Sequence, residues 1–213
     1  MDIQVWSDVI CPWCYIGRHR LERALESFGG AVTVTYRAYQ LDAAPVPAPL
    51  PLKEVMAAKV GGADRAEEMF AQVTAIGTSE GLTLDFDRAI AANTLLAHRT
   101  IVWAATHERQ VDMLDALQRA HFADGIDIGS LPALAAIADS IGLPATEALV
   151  YLESDAGTSA VHTDIAEARA LGISSVPTLV IDGKYVVSGA QEPATLLSAF
   201  EEITRREDAN AGR

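Results

Sequence analysis

The spacing of apolar residues divides the chain into three stretches. Ile3 to Val9 is short, rich in β-branched residues and ends at a turn-like Cys-Pro, which predicts a strand. Ile16, Arg20, Leu21, Ala24, Leu25 and Phe28 then recur at helical spacing, so a helix is expected over Trp13 to Phe28, closed by Gly29-Gly30. Ala31 to Tyr39 reads as a second strand. A β-α-β order in so short a span predicts that the two strands run parallel.

The pattern then changes. Pro45, Pro47, Pro49 and Pro51 predict an extended linker, because proline fixes φ and is excluded from helix interiors. Leu52 to Leu171 carries almost only helical pattern. Helices are expected over 52–60, 63–80, 87–107, 110–122, 130–142, 144–153 and 156–171, with breaks at Gly61-Gly62, Gly81, Gly125, Gly129 and Gly142.

Strand pattern returns at Val176 to Ile181. Asp182-Gly183 is a hairpin signal, and Tyr185 to Ser188 is expected to pair back antiparallel. Pro193 to Thr204 closes the chain as an amphipathic helix, and Arg205 to Arg213 is expected to be a polar, frayed tail. Together, βαβ and ββα predict one four-stranded mixed sheet with flanking helices, interrupted by the helical block.

Composition narrows what this α/β chain can do. With 213 residues it is long enough to bury a core without a disulfide. A formal charge of −13 argues against nucleic acid, whose binding proteins carry basic patches. The apolar runs are short and broken by charge, so no membrane span is expected. Met1 to Trp6 has neither a basic n-region nor an apolar h-region, and the expected location is cytoplasmic. Gly61-Gly62 lacks the Lys-Ser/Thr of a phosphate loop, and His107-Glu108 lacks the second histidine of a zinc protease.

Only two cysteines are present, and both lie in Cys11-Pro12-Trp13-Cys14, between a strand and a helix. At a helix start the unpaired N–H groups and the helix dipole stabilise a thiolate. Cys11 is therefore the candidate nucleophile. Cys14, one turn in, is placed to resolve a mixed disulfide on Cys11. Pro12 suits the first helical turn, and Trp13 offers substrate a flat apolar face. Three other readings exist for the pair. A zinc site needs about four ligands, whereas the five histidines are scattered, and no metal is expected. A structural disulfide over so short a loop constrains little of the unfolded chain. Two inert thiols are the third.

Val176-Pro177 opens a strand, where proline is unusual. The placement makes sense if the bond is cis and lies beside the cysteine loop, leaving the Val176 backbone to pair with substrate. The alternative is an ordinary trans proline. Asp8, three residues before Cys11, is a candidate proton acceptor near Cys14, an organiser of the loop, or a cap at the strand end. His98 lies among apolar residues, as packing histidines do.

These motifs resemble the DsbA-like branch of the thioredoxin superfamily. The blocks Asp8-x-x-Cys11-Pro12-Trp13-Cys14-Tyr15-Ile16-Gly17, Asn93-Thr94-x-x-Ala97-His98-Arg99 and Val187-Ser188-Gly189-Ala190-Gln191 are similar to FrnE-type cytosolic oxidoreductases. The resemblance implies a thioredoxin-like fold from residues 1–44 and 172–206, a helical domain inserted at 52–171, and a flexible tail at 207–213. It implies thiol–disulfide exchange with protein or small dithiols, a cis Pro177, and no tightly bound cofactor. Substrate contacts are expected at Pro12, Trp13, Val176, Pro177, Asn93, His98 and Gln191. DsbA itself usually has histidine where Trp13 stands, and this chain lacks the further cysteine pair of some FrnE-like proteins. The kappa-class glutathione transferases and 2-hydroxychromene-2-carboxylate isomerases share the fold, usually with serine in place of Cys11 and without Cys14. Glutathione is accordingly a candidate co-substrate, docking on Val176 and the Ser188 to Gln191 turn. The apolar surface around Trp13 suits either substrate or the second subunit of a homodimer.

Overall fold

The computed structural model describes residues 1–46 and 48–211; Pro47 of the expected linker lies outside them. The N-terminal unit is β1 (Asp2–Ser7), α1 (Pro12–Phe28) and β2 (Thr33–Ala38). The C-terminal unit is β5 (Thr178–Ile181), β6 (Tyr185–Ser188) and α9 (Pro193–Ala211). Between them come β3 (Leu50–Pro51), α2 (Leu52–Val60), α3 (Ala63–Ser79), β4 (Ile90–Ala91), α4 (Leu95–Ala105), α5 (Gln110–Phe122), α6 (Leu131–Ser140), α7 (Ala145–Glu153) and α8 (Thr158–Ala170).

The two units join in one sheet of order β2-β1-β5-β6. β1 runs parallel to β2 and antiparallel to β5, and β5 runs antiparallel to β6. This is the thioredoxin-like fold. Alternate residues of the central strands face opposite layers. Ile3, Val5, Leu179 and Ile181 pack with Leu21 and Ala24 of α1 and with Leu196, Phe200 and Ile203 of α9. Trp6 and Val180 face the other way, onto Ala168 of α8. The Trp6 indole donates to the Asp164 carbonyl at 3.0 Å, which satisfies its buried N–H. Asp182 and Gly183 both adopt positive φ, as the two-residue hairpin requires.

The helical block does not sit apart from the sheet. Ile101, Leu114, Leu117, Leu134 and Leu152 share one core with the sheet's inner residues. A second cluster joins Tyr15 and Ile16 of α1 to Phe70, Leu84, Phe86 and Phe122. The opening helix is therefore packed against both parts of the chain.

Two expectations fail at element boundaries. Residues 87–94 are not helical, and α4 starts only at Leu95. Their backbone is taken by distant partners: Ile90 and Ala91 pair with Pro51 and Leu50, and Leu52 donates to the Ala89 carbonyl at 2.9 Å. The same pairing turns the end of the proline linker into β3. At the other end, the expected frayed tail is helical as far as Ala211. Glu202 pairs with Arg205 and Arg206, and Glu207 accepts from Lys184 and Tyr185 of β6, so the added turns are tied to the sheet.

Candidate active site

β1 delivers the chain to its carboxyl end, where Val9, Ile10 and Cys11 turn into α1. Cys11 is the N-cap residue, in extended conformation, and Pro12 stands in the first turn, where a missing N–H costs nothing. The Cys11 N–H donates to the Asp8 carbonyl at 3.2 Å, and the Cys11 carbonyl accepts from Cys14 and Tyr15. Both cysteines are thiols. Trp13 is 39% exposed while Cys14 is only 2% exposed, because Trp13 points out of the first turn and Cys14 points under it.

The two thiols differ electrostatically. A hydrogen bond from Cys14 is the largest influence on Cys11 and pulls it below the ordinary cysteine range; the Cys14 and Trp13 N–H groups act the same way, against burial and the Asp8 charge. Burial pushes Cys14 well up, and Cys11 adds to the rise; the Asp8 N–H and the Ser7 hydroxyl offset part of it. Both sulfurs are buried, and Cys11 is the more acidic of the two thiols.

The second half of the site comes from a distant segment. The Val176–Pro177 peptide bond is cis. The Val176 carbonyl accepts from the Cys11 thiol at 3.8 Å, so these residues, 165 apart in sequence, share one loop cluster. The Pro177 carbonyl accepts the Gly189 N–H at 2.8 Å, and Gly189 has φ +80°, a conformation that glycine adopts without strain. That bond ties the Ser188 to Gln191 turn to the proline.

A model of the DsbA-like thioredoxin domain matches residues 2–201. The chain belongs to that family. The solved structure of a probable DsbA oxidoreductase, SCO1869 from Streptomyces coelicolor, superposes on this DsbA-like protein with TM-score 0.90 at 32% identity, covering 95% of this chain and 89% of the other. The uncharacterized protein YwbO of Bacillus subtilis is 25% identical over 197 residues, 89% of this chain and 90% of its own. The cytosolic disulfide reductase DsbM from Pseudomonas aeruginosa, solved with GSH, shares the fold at TM-score 0.69 and 19% identity, covering 96% of this chain and all of its own.

Not every residue singled out in the sequence of this DsbA-like protein faces the thiols. Asn93 accepts the Leu95 N–H and donates to the Ala43 and Ala44 carbonyls, so its amide holds the linker against the start of α4. His98 is buried, and its Nε2 lies 2.9 Å from the Tyr39 carbonyl and 3.2 Å from Asp8 Oδ1. From that position it braces the Tyr39 and Asp8 segments of the chain. Asp8 is fully buried and takes the Leu41 N–H at 2.7 Å, the geometry of a loop organiser. Gln191 is exposed and folds its amide back onto the Ser188 carbonyl.

Other contacts escaped the sequence reading. Arg20 of α1 donates to Glu80 at 2.7 Å and to the Ala190 carbonyl at 2.7 Å, and pairs with Glu192 at 2.6 Å. It therefore anchors the turn beside Pro177. The signal was an arginine inside the apolar stripe of α1. His121 carried the same signal among Leu117, Ala120 and Phe122.

Among the described residues no helix is long and apolar enough to cross a membrane.

Proposed function

We propose that the protein is a thiol–disulfide oxidoreductase that exchanges disulfides with protein or small-molecule dithiols through Cys11 and Cys14. The observation that carries this reading is the asymmetry of the pair: Cys11 held low at a helix N-terminus, Cys14 held high one turn beneath it. Cys11 attacks a substrate disulfide, and Cys14 displaces the substrate from the resulting mixed disulfide. Substrate contacts fall to Pro12, Trp13, Val176, Pro177 and Gln191, with an extended substrate chain pairing along the Val176 backbone. Asn93, His98 and Asp8 serve this site by fixing its loops. A cytoplasmic setting and a FrnE-type assignment belong to the same reading, and the apolar face around Trp13 is where a second subunit would meet a first.

Glutathione as co-substrate is a second reading, supported by the shared fold of a disulfide reductase solved with GSH. A glutathione transferase or isomerase would need only Cys11. The experiment that tests the first reading is reduction of insulin or oxidation of a dithiol peptide. Cys11→Ser is expected to abolish turnover, and Cys14→Ser to stop it at a trapped mixed disulfide. Full turnover with Cys14→Ser would favour glutathione chemistry; full turnover with Cys11→Ser would sink both. Redox titration in glutathione buffers is expected to show the pair cycling between dithiol and disulfide.

A further inference from the structure

Asp8 follows the last residue of β1, and residues 8–11 turn the chain into α1. The Cys11 N–H closes that turn on the Asp8 carbonyl at 3.2 Å. The Cα atoms at the ends of such a turn lie within about 7 Å of each other. Asp8 is therefore a fixed neighbour of Cys11, and both side chains are buried.

Among the described residues no lysine or arginine bridges the Asp8 carboxylate; its ion-pair partner is the His98 ring of α4. One oxygen accepts the Leu41 N–H at 2.7 Å, and the other lies 3.2 Å from His98 Nε2. That Nε2 is also 2.9 Å from the Tyr39 carbonyl. Both of its neighbours are acceptors, so Nε2 carries a hydrogen, and a neutral ring supplies that donor without a charge. From α5, His121 feels the Asp8 charge, but burial holds its pKa down at about 4. Cys14, the titratable neighbour on α1, is pushed well up by burial. A loop organiser alone needs only an acceptor, which asparagine or serine would supply without burying a charge.

We propose that the buried Asp8 carboxylate sets the reduction potential of the Cys11–Cys14 pair, holding it lower than the cysteine loop alone would. The inference rests on the dithiol reading and adds to the loop-fixing role of Asp8. Like charges in a buried loop repel more strongly than in water. The Asp8 charge works against the Cys11 thiolate. When the pair is oxidised, the substrate disulfide takes up two electrons, the Cys14 proton and one proton from water, and leaves as two thiols. The Cys11 charge disappears, and the enzyme disulfide that forms is neutral. Asp8 therefore penalises the dithiol form and spares the disulfide, which makes the pair a stronger reductant.

The test is equilibration of the whole protein with glutathione redox buffers across a range of pH, with the oxidised fraction read by alkylation and mass. Asp8→Asn and Asp8→Ser remove the charge and keep a side-chain oxygen for the Leu41 N–H. Above the Cys11 alkylation midpoint, each variant is expected to need a ratio of glutathione disulfide to squared thiol on the order of tenfold higher for half-oxidation, or about 30 mV. At pH values where Cys11 is a neutral thiol in every protein, the gap should close. A purely structural role would leave an offset that does not follow the Cys11 midpoint. No shift in a folded variant, a shift in the opposite direction, or an offset equal at every pH would overturn the proposal. A charged His98 that cancels Asp8 would give the first of these results. Failure of both variants to fold would make Asp8 architectural alone and overturn it too. A wild-type protein that does not cycle between dithiol and disulfide would instead overturn the dithiol reading itself.

Discussion

Gly17 lies directly beneath Pro177: a Cβ on Gly17 would stand 2.9 Å from Pro177 Cγ and 3.3 Å from Ala190 Cβ. One turn beyond the cysteines, α1 thus carries no side chain where the Pro177 loop and the Ser188 to Gln191 turn come down on it. Gly17→Ala must push that loop outward. A cost of about 1–3 kcal/mol in stability is expected, as for other overpacked sites. Because Val176 faces Cys11 from the same loop, activity toward disulfide substrates should fall as well, read as kcat/KM beside a thermal melt.

The hydrogen bond from Cys14 is the largest influence lowering Cys11. Cys14→Ala is therefore expected to move the alkylation midpoint of Cys11 upward, toward the ordinary cysteine value. The check is the rate of iodoacetamide labelling against pH in the wild type and the variant. An unmoved midpoint would assign the low value to the helix N-terminus alone.

Burial lowers His121 from 6.5 to about 4. Its folded-state value lies below its unfolded one, so the unfolded chain binds more protons between those limits. The associated stability is present above about pH 6.5 and is lost as the pH falls through about 4. The loss is on the order of 3 kcal/mol for this one group. Urea midpoints measured across that window should decline in the wild type and decline less in His121→Phe.

Arg20 and Glu80 form a pair in which both side chains are nearly buried, shared with Arg23 and Glu192. Arg20→Met is expected to cost about 3 kcal/mol, since it leaves Glu80 with Arg23 alone. It also releases the Ala190 carbonyl. The double variant Arg20→Met/Glu80→Gln should recover much of the stability, because no buried charge is left short of its partner. It should not restore the turn beside Pro177, so activity is expected to stay low. A double-mutant cycle on stability and on turnover separates the two effects.

The elements of the sheet and the cysteine helix were legible in the chain because their signals are local. Ile3 to Val9 is short and rich in β-branched residues, the stripe through Leu21 and Ala24 has helical period, and Asp182-Gly183 supplies the positive φ a tight hairpin needs. The N–H groups that act on Cys11 were legible for the same reason, since a thiol at a helix start meets those of its own first turn; the larger influence of the Cys14 thiol was not.

Residues 87–94 were not legible, because their helix-forming composition is overruled by pairing with Leu50 and Pro51, some forty positions away. The end of α9 was hidden likewise, since Glu207 is held by a strand that precedes the helix.

By itself, then, the sequence determined the βαβ and ββα halves, the helical block between them, and the placing of both cysteines in one loop at a helix start. Tertiary structure alone decided what surrounds those thiols: Val176 set against Cys11, Gly17 under Pro177, and Arg20 holding Ala190. Hydrophobic period and turn chemistry act over a few residues, so they can be read along a chain. Burial and charge act through space, between residues that only the folded core brings together.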